Sequence, residues 1–281
     1  MTELVIALNC NEEILRIENL AVSRSGSRVI NNIDMSVSCG EFVGIVGPNG
    51  AGKTTLLLTI LGILKPREGS IKIYEKQPND RAIVGKVGWV PQTASKIPKN
   101  VHITVKEFIQ LGTLSRKSFF QIRKQEREKV AKIIDIVGLN EYANRKITNL
   151  SGGQRQRAAI GKALASDADL ILMDEPMVGV DRESRNSIMK LLDGLCHHEN
   201  KTIVMISHDL ASIKRTVHRM IYLEETIRYD GPTTSFPDLS KLAELRGIEP
   251  THEDNEIKEI LASPTESGAI ILIPGKDGEE E

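Results

Sequence analysis

Apolar and polar residues alternate along Ile14–Leu20 and Ser70–Tyr74, the period of two expected of half-exposed antiparallel strands. Phe42–Val46, Leu170–Met173 and Thr202–Ile206 differ. Each is a short unbroken apolar run rich in Val and Ile, followed by polar or glycine residues and then by a helical pattern. Such runs predict buried parallel strands that each feed a helix. Residues 121–137 are charged first and amphipathic after, which predicts a helix with Gly138 as its C-terminal cap. The pattern therefore predicts an α/β core, an antiparallel patch near the start and a mainly helical insert between about 93 and 166.

The 281 residues are 40% hydrophobic and 27% charged, the balance of a folded soluble chain. No stretch approaches the roughly 18 apolar residues of a membrane helix, and MTELVIALNCNEE lacks the order of a signal peptide. Both patterns argue against a membrane-spanning or secreted protein. Lys plus Arg (37) nearly balance Asp plus Glu (38), leaving −1 overall, so no global charge draws the chain to nucleic acid. The charge is uneven, however. Residues 249–281 hold ten acids and two lysines, a net −8, which leaves 35 basic and 28 acidic residues, a net +7, in 1–248. The chain divides on this reading into a 1–248 domain and a 249–281 acidic appendage, whose run Ala269–Ile273 is long enough for one short strand.

Cys10, Cys39 and Cys196 are odd in number and widely spaced, as reduced thiols are. Cys196-His197-His198-Glu199 offers metal-ligating types. Adjacent helical side chains diverge, so the plainer reading is a helix end, where His suits the negative pole of the dipole.

Gly47-Pro48-Asn49-Gly50-Ala51-Gly52-Lys53-Thr54 matches GxxxxGK[ST], with Thr55 continuing the hydroxyl pair. The glycines let backbone N–H groups turn toward phosphates, and the helix that follows presents its positive end to the same anion. Lys53 supplies a point charge for the β/γ-phosphates and Thr54 an oxygen ligand for Mg²⁺. Coincidence yields such a match in roughly one chain in a hundred of this size. The strand before it and the apolar Leu56–Leu61 after it favour a nucleotide site. Leu170-Ile171-Leu172-Met173-Asp174-Glu175 describes a buried strand with two carboxylates at its end, where open α/β sheets bind ligands. Asp174 suits Mg²⁺, and Glu175 suits a base or positioner for attacking water. The plainer alternative for such a pair, a helix N-cap after a strand, carries less weight even for this motif alone.

Leu150-Ser151-Gly152-Gly153-Gln154 narrows the class. Ser151 is placed to cap a helix over Gly152–Ser166, and the two glycines leave N–H groups accessible there. With this motif the chain resembles the ATP-binding subunits of ABC transporters, from about Ile14 to Gly231, its motifs in the family's order. The resemblance implies an α/β P-loop NTPase core with a parallel sheet, an N-terminal antiparallel β subdomain and an α-helical subdomain insert. It also implies that Ser151, Gly152, Gly153 and Gln154 close on the γ-phosphate held by another subunit. One chain is then half an enzyme, completed by a homodimer or a paralogous ATPase subunit with two ATP molecules between the protomers.

The same resemblance places Gln92 as the Q-loop residue that contacts Mg²⁺ and Asp181 in the loop that touches the opposite protomer. It places His208 where a histidine contacts the γ-phosphate. Read without it, these are a surface turn residue, a helix N-cap and a structural histidine. One departure concerns Arg24, near which the family carries a tyrosine stacked on adenine. A guanidinium plane also stacks on a base, so the resemblance leaves room for GTP.

The cofactors implied are ATP and Mg²⁺, and the implied reaction is ATP hydrolysis. Coiled-coil DNA-repair members and two-cassette translation factors need more chain than the 58 positions that separate Gln92 from Leu150, or a second cassette. The reading is the motor subunit of a transporter, peripheral on the cytoplasmic face of the membrane. A separate integral permease would dock within Thr93–Gly112, an extracytoplasmic solute-binding protein would act indirectly, and nucleic acid would have no part. Ile103–Phe108 and Met177–Asp181 look like the zinc/manganese uptake branch, with siderophore or cobalamin importers sharing parts of the pattern. The basic stretch Arg116–Lys129, with Phe119 and Phe120, reads as a solvated helix face or a contact with anionic headgroups.

Overall fold

In chain order the elements are β1 (Glu13–Arg24), β2 (Ser27–Ser38), β3 (Phe42–Val46), α1 (Lys53–Ile60), β4 (Glu68–Ile73) and β5 (Val87–Val90). There follow α2 (Val105–Gln110), α3 (Lys124–Ile136), α4 (Gly152–Ala165), β6 (Leu170–Asp174), α5 (Arg182–Glu199), β7 (Thr202–Ile206), α6 (Leu210–Ile213), β8 (Arg219–Glu224) and β9 (Thr226–Pro232). This computed structural model describes residues 12–98, 100–114 and 124–237. The chain divides into two units, Met1–Phe236 and Pro237–Glu281. The acidic segment with its boundary at 248, the run Ala269–Ile273, Cys10 and residues 115–123, including Phe119 and Phe120, lie outside the described residues.

β1 is the centre of a three-stranded antiparallel sheet in the order β2-β1-β4. It buries Leu15 and Ile17 and, beyond an irregularity between Ile17 and Leu20 that shifts the alternation by one residue, Leu20 and Val22, and β2 and β4 add Ile30, Ile33, Ile71 and Ile73 to the same core. The second sheet has the order β5-β6-β7-β3-β8-β9. Its first five strands are parallel, and β9 closes the edge antiparallel to β8. Every residue of β3, β6 and β7 is buried, because these strands are covered on both faces and a polar position on either side would lose its hydration. That explains their unbroken apolar runs. The wholly buried Leu56 and Ile60 of α1 join the antiparallel sheet to the parallel one in one core.

The helical insert is built on α2, α3 and α4, which pack together. α3 buries Val130, Ile133 and Ile134 and leaves its charged face to solvent, and Gly138 takes the left-handed turn after it at φ +65°. Thr104 with Glu107 forms a capping box on α2, and Ser151 with Gln154 forms one on α4. The parallel sheet, the antiparallel patch and the helical insert correspond to the architecture expected from the residue pattern.

Candidate active site

The carboxyl ends of β3, β5, β6 and β7 deliver four loops into one crevice, as open parallel sheets do. Gly47–Gly52 follows β3 and turns into α1. A Cβ on Gly47 would fall 2.0 Å from Leu223 O, and one on Gly52 2.2 Å from Ile30 Cγ2. Both positions also have positive φ, 151° and 94°, so side chains are excluded on two counts. The Lys53 ammonium donates to Gly47 O and Pro48 O at 2.8 Å each and so spans the loop. Burial lowers the Lys53 pKa, with Glu175 and Asp174 acting in the opposite sense. Thr55 is buried under the loop, whereas Asn49 and Gly50 are exposed at its tip.

Thr54 Oγ1 donates to Asp174 Oδ1 at 3.3 Å. Oxygen ligands on an octahedral Mg²⁺, each at 2.0–2.1 Å, sit about 2.9 Å apart. The Thr54–Asp174 pair thus fits neighbouring positions on such an ion. Burial raises the Asp174 pKa, partly offset by the bond from Thr54 and by Lys53, so the carboxylate sits in surroundings that favour a cation beside it.

Glu175 follows with φ +44°, a left-handed conformation that costs on the order of 1–2 kcal/mol for a residue bearing Cβ. Its N–H donates to Ile206 O at 3.1 Å, pinning the end of β6 to β7. The Glu175 carboxylate accepts from Gln92 Nε2 at 3.1 Å, and the same oxygen lies 3.3 Å from His208 Nδ1. Three strand ends therefore meet on one carboxylate.

Asp181 caps α5 by accepting the Ser184 N–H at 2.9 Å, and the bonds from Ser184 hold its carboxyl below the usual range. Arg185, one turn on, pairs with Asp209 at 2.6 Å and donates to Val180 O at 3.3 Å. The loop before α5 is thereby tied to the segment carrying His208. Sequence reasoning missed Arg185, whose two partners lie on separate loops. It also missed the β8–β9 turn, where Glu225 N–H donates to Ala51 O at 3.3 Å.

Two groups of expected site residues stand apart from this convergence. Ser151 and Gln154 bond each other in their capping box, and among the described residues no hydrogen bond joins Ser151–Gln154 to the Gly47–Thr55 loop. Gly152 and Gly153 pack instead toward Gly179 and Ser184. Arg24 ends β1 opposite Ser27; it is exposed, and among the described residues it has no hydrogen bond or ion pair. Its hairpin reaches the loop through Ile30, against Gly52. The four residues Cys196–Glu199 close α5, and Cys196 is buried, in keeping with the helix-end reading.

The family model described as "ABC transporter" matches residues 30–178. A probable metal transport system ATP-binding protein of Thermotoga maritima is 36% identical over 82% of this chain and 90% of its own length. The zinc uptake system ATP-binding protein ZurA of Listeria monocytogenes is 34% identical over 78% of this chain and 86% of its own. Among solved structures, an ATP-binding cassette of an ABC transporter in its ADP conformation superposes with a TM-score of 0.75 at 26% identity, covering 85% of this chain and all of that one. A dimeric cassette in a post-hydrolysis state bound to ADP and phosphate superposes at 0.65 with 28% identity, over 79% of this chain and all of that one.

Proposed function

This chain belongs to the ABC transporter family, and on that premise we propose that it is the ATP-hydrolysing motor of a metal-ion importer, with zinc or manganese as cargo. The observation that carries the proposal is the meeting of Gln92, Glu175 and His208 beside the Lys53 loop, at the carboxyl ends of four strands. The metal transport and zinc uptake functions named for its relatives support the cargo class.

In the proposed reaction, the backbone of Gly47–Gly52 and the Lys53 ammonium hold the β- and γ-phosphates, with Thr55 supporting the loop from beneath. Mg²⁺ bound through Thr54, Asp174 and Gln92 would supply neutralising charge at those phosphates. Glu175 orients the attacking water and takes its proton, and His208 contacts the γ-phosphate from β7. Ser151, Gly152, Gly153 and Gln154 of a second copy complete the site across a head-to-tail dimer, with Asp181 at the same seam. The dimeric solved cassette, bound to ADP and phosphate, supports such an assembly. Arg24 faces the base, and with no aromatic there the site tolerates GTP.

No helix among the described residues is long and apolar enough to cross a membrane, so transport requires a separate permease, which holds the chain at the membrane. The exposed Trp89, Leu111 and Leu114 offer it apolar surface next to the Thr93–Gly112 segment. Uptake of radioactive zinc and manganese by cells lacking the gene tests the reading. High-affinity uptake of one metal should vanish and return with the wild-type gene but not with Glu175→Gln. Uptake of both metals at the parental rate in the deletion strain would remove the cargo assignment.

A further inference from the structure

Asp193 and His197 stand one turn apart on α5, and His218 meets them from the position just before β8. One carboxylate oxygen and one nitrogen from each ring all lie within 4.8 Å of one another. His197 Nε2 is 3.3 Å from Asp193 Oδ1, and the two imidazole rings are 5.2 Å apart between centroids, inclined at 55°. Ligand atoms on a tetrahedral Zn²⁺, at about 2.0–2.2 Å, sit roughly 3.3 Å from each other. The Asp193–His197 separation already has that value. His218 and His197 are exposed, so small side-chain rotations close the remainder without disturbing a packed core.

We propose that Asp193, His197 and His218 form a binding site for a divalent transition-metal ion of the zinc type. It lies at the amino ends of β3 and β8, the opposite edge of the sheet from the Lys53 loop. Two imidazoles and one carboxylate suit Zn²⁺ and its neighbours late in the first row, whereas Mg²⁺ and Ca²⁺ prefer oxygen throughout. Neighbouring groups do not compete. Cys196 is buried, and both it and His198 lie outside the cluster. The site is independent of the cargo reading, since none of the three residues takes part in ATP binding or hydrolysis.

The tautomer of His218 links the site to the core. Its Nδ1 accepts the Phe42 N–H at 3.1 Å, which leaves Nε2 as the nitrogen open to a metal. Ligation through Nε2 moves the ring proton to Nδ1 and ends the bond to Phe42. The site therefore binds at the expense of one hydrogen bond at the root of β3, the strand that ends at Gly47, and its affinity is moderate.

The test is titration of the chelator-treated full-length protein with Zn²⁺ against a fluorescent zinc indicator at neutral pH, with calorimetry for stoichiometry. The expected result is one site per chain, weakened about tenfold or more by His197→Ala and by Asp193→Asn. His198→Ala and Cys196→Ser leave it unchanged. Mn²⁺ should bind more weakly than Zn²⁺. His197→Ala should fold and hydrolyse ATP as the wild type does without zinc, so its loss of zinc is a loss of a ligand. Absence of saturable zinc binding, or zinc binding by His197→Ala within twofold of wild type, would overturn the proposal.

Discussion

Gln92 and Glu175 are joined by a 3.1 Å hydrogen bond that ties the loop after β5 to the end of β6. The glutamine that leads into the helical insert thus touches the carboxylate proposed to orient the attacking water. Replacing Glu175 with Gln keeps its shape but removes the ionisable carboxylate, the proposed base. Turnover should fall by about 10²–10⁴ while nucleotide binding persists. A phosphate-release assay beside a binding titration checks both, and parental turnover would remove Glu175 from its role.

Lys53 bonds two loop carbonyls, contacts that phosphate oxygens would replace in the proposed reaction. Lys53→Ala should weaken ATP by roughly 1.5–3 kcal/mol, the worth of a charge-assisted contact. Displacement of a fluorescent nucleotide measures it; unchanged affinity would contradict the assignment.

Asp174 gives a pH-dependent prediction. Its folded pKa is raised by burial, so the folded state binds its proton more tightly than the unfolded state does. The carboxylate therefore lowers nucleotide-free stability at neutral pH, and that deficit disappears as pH falls through the raised pKa. Asp174→Asn should stabilise the nucleotide-free protein at pH 7 by up to about 2 kcal/mol, with the gain fading in acid, and should abolish Mg²⁺-dependent turnover. Melting curves across pH test the sign; an equal gain at every pH would contradict it.

Gly153 carries a steric prediction. A Cβ there would lie 2.5 Å from Ser184 Cβ and Oγ, so Gly153→Ala should displace α4 from α5 and cost about 1–3 kcal/mol. Adding Ser184→Gly removes the obstructing atoms and should restore much of the stability, which denaturant melts of the single and double variants will show.

Arg24 is exposed, and among the described residues it has no polar partner. Arg24→Tyr should tighten ATP by about 0.5–1.5 kcal/mol through stacking and widen its margin over GTP. Competition binding of the two nucleotides decides; an unchanged ratio places the base elsewhere.

The three central strands were legible in the sequence because burial on both faces leaves them no polar position. β8 and β9 were not: Met220–Leu223 is as apolar as β3, but a turn follows it instead of a helix. The phosphate loop and the Asp174–Glu175 pair were readable because their chemistry is contiguous in the chain. Arg185 with Asp209, and His218 with Asp193 and His197, join side chains that only the fold brings together. Gly153 shows a motif residue with a packing role that its local reading did not include, since it is buried and its missing side chain admits Ser184.

The central claim is that two copies must enclose each ATP. The most direct measurement is the mass of Glu175→Gln in solution by light scattering, with and without ATP and Mg²⁺. The expected mass is 31.1 kDa without nucleotide and twice that with it. A mass that stays at one chain while ATP saturates the protein would contradict the account.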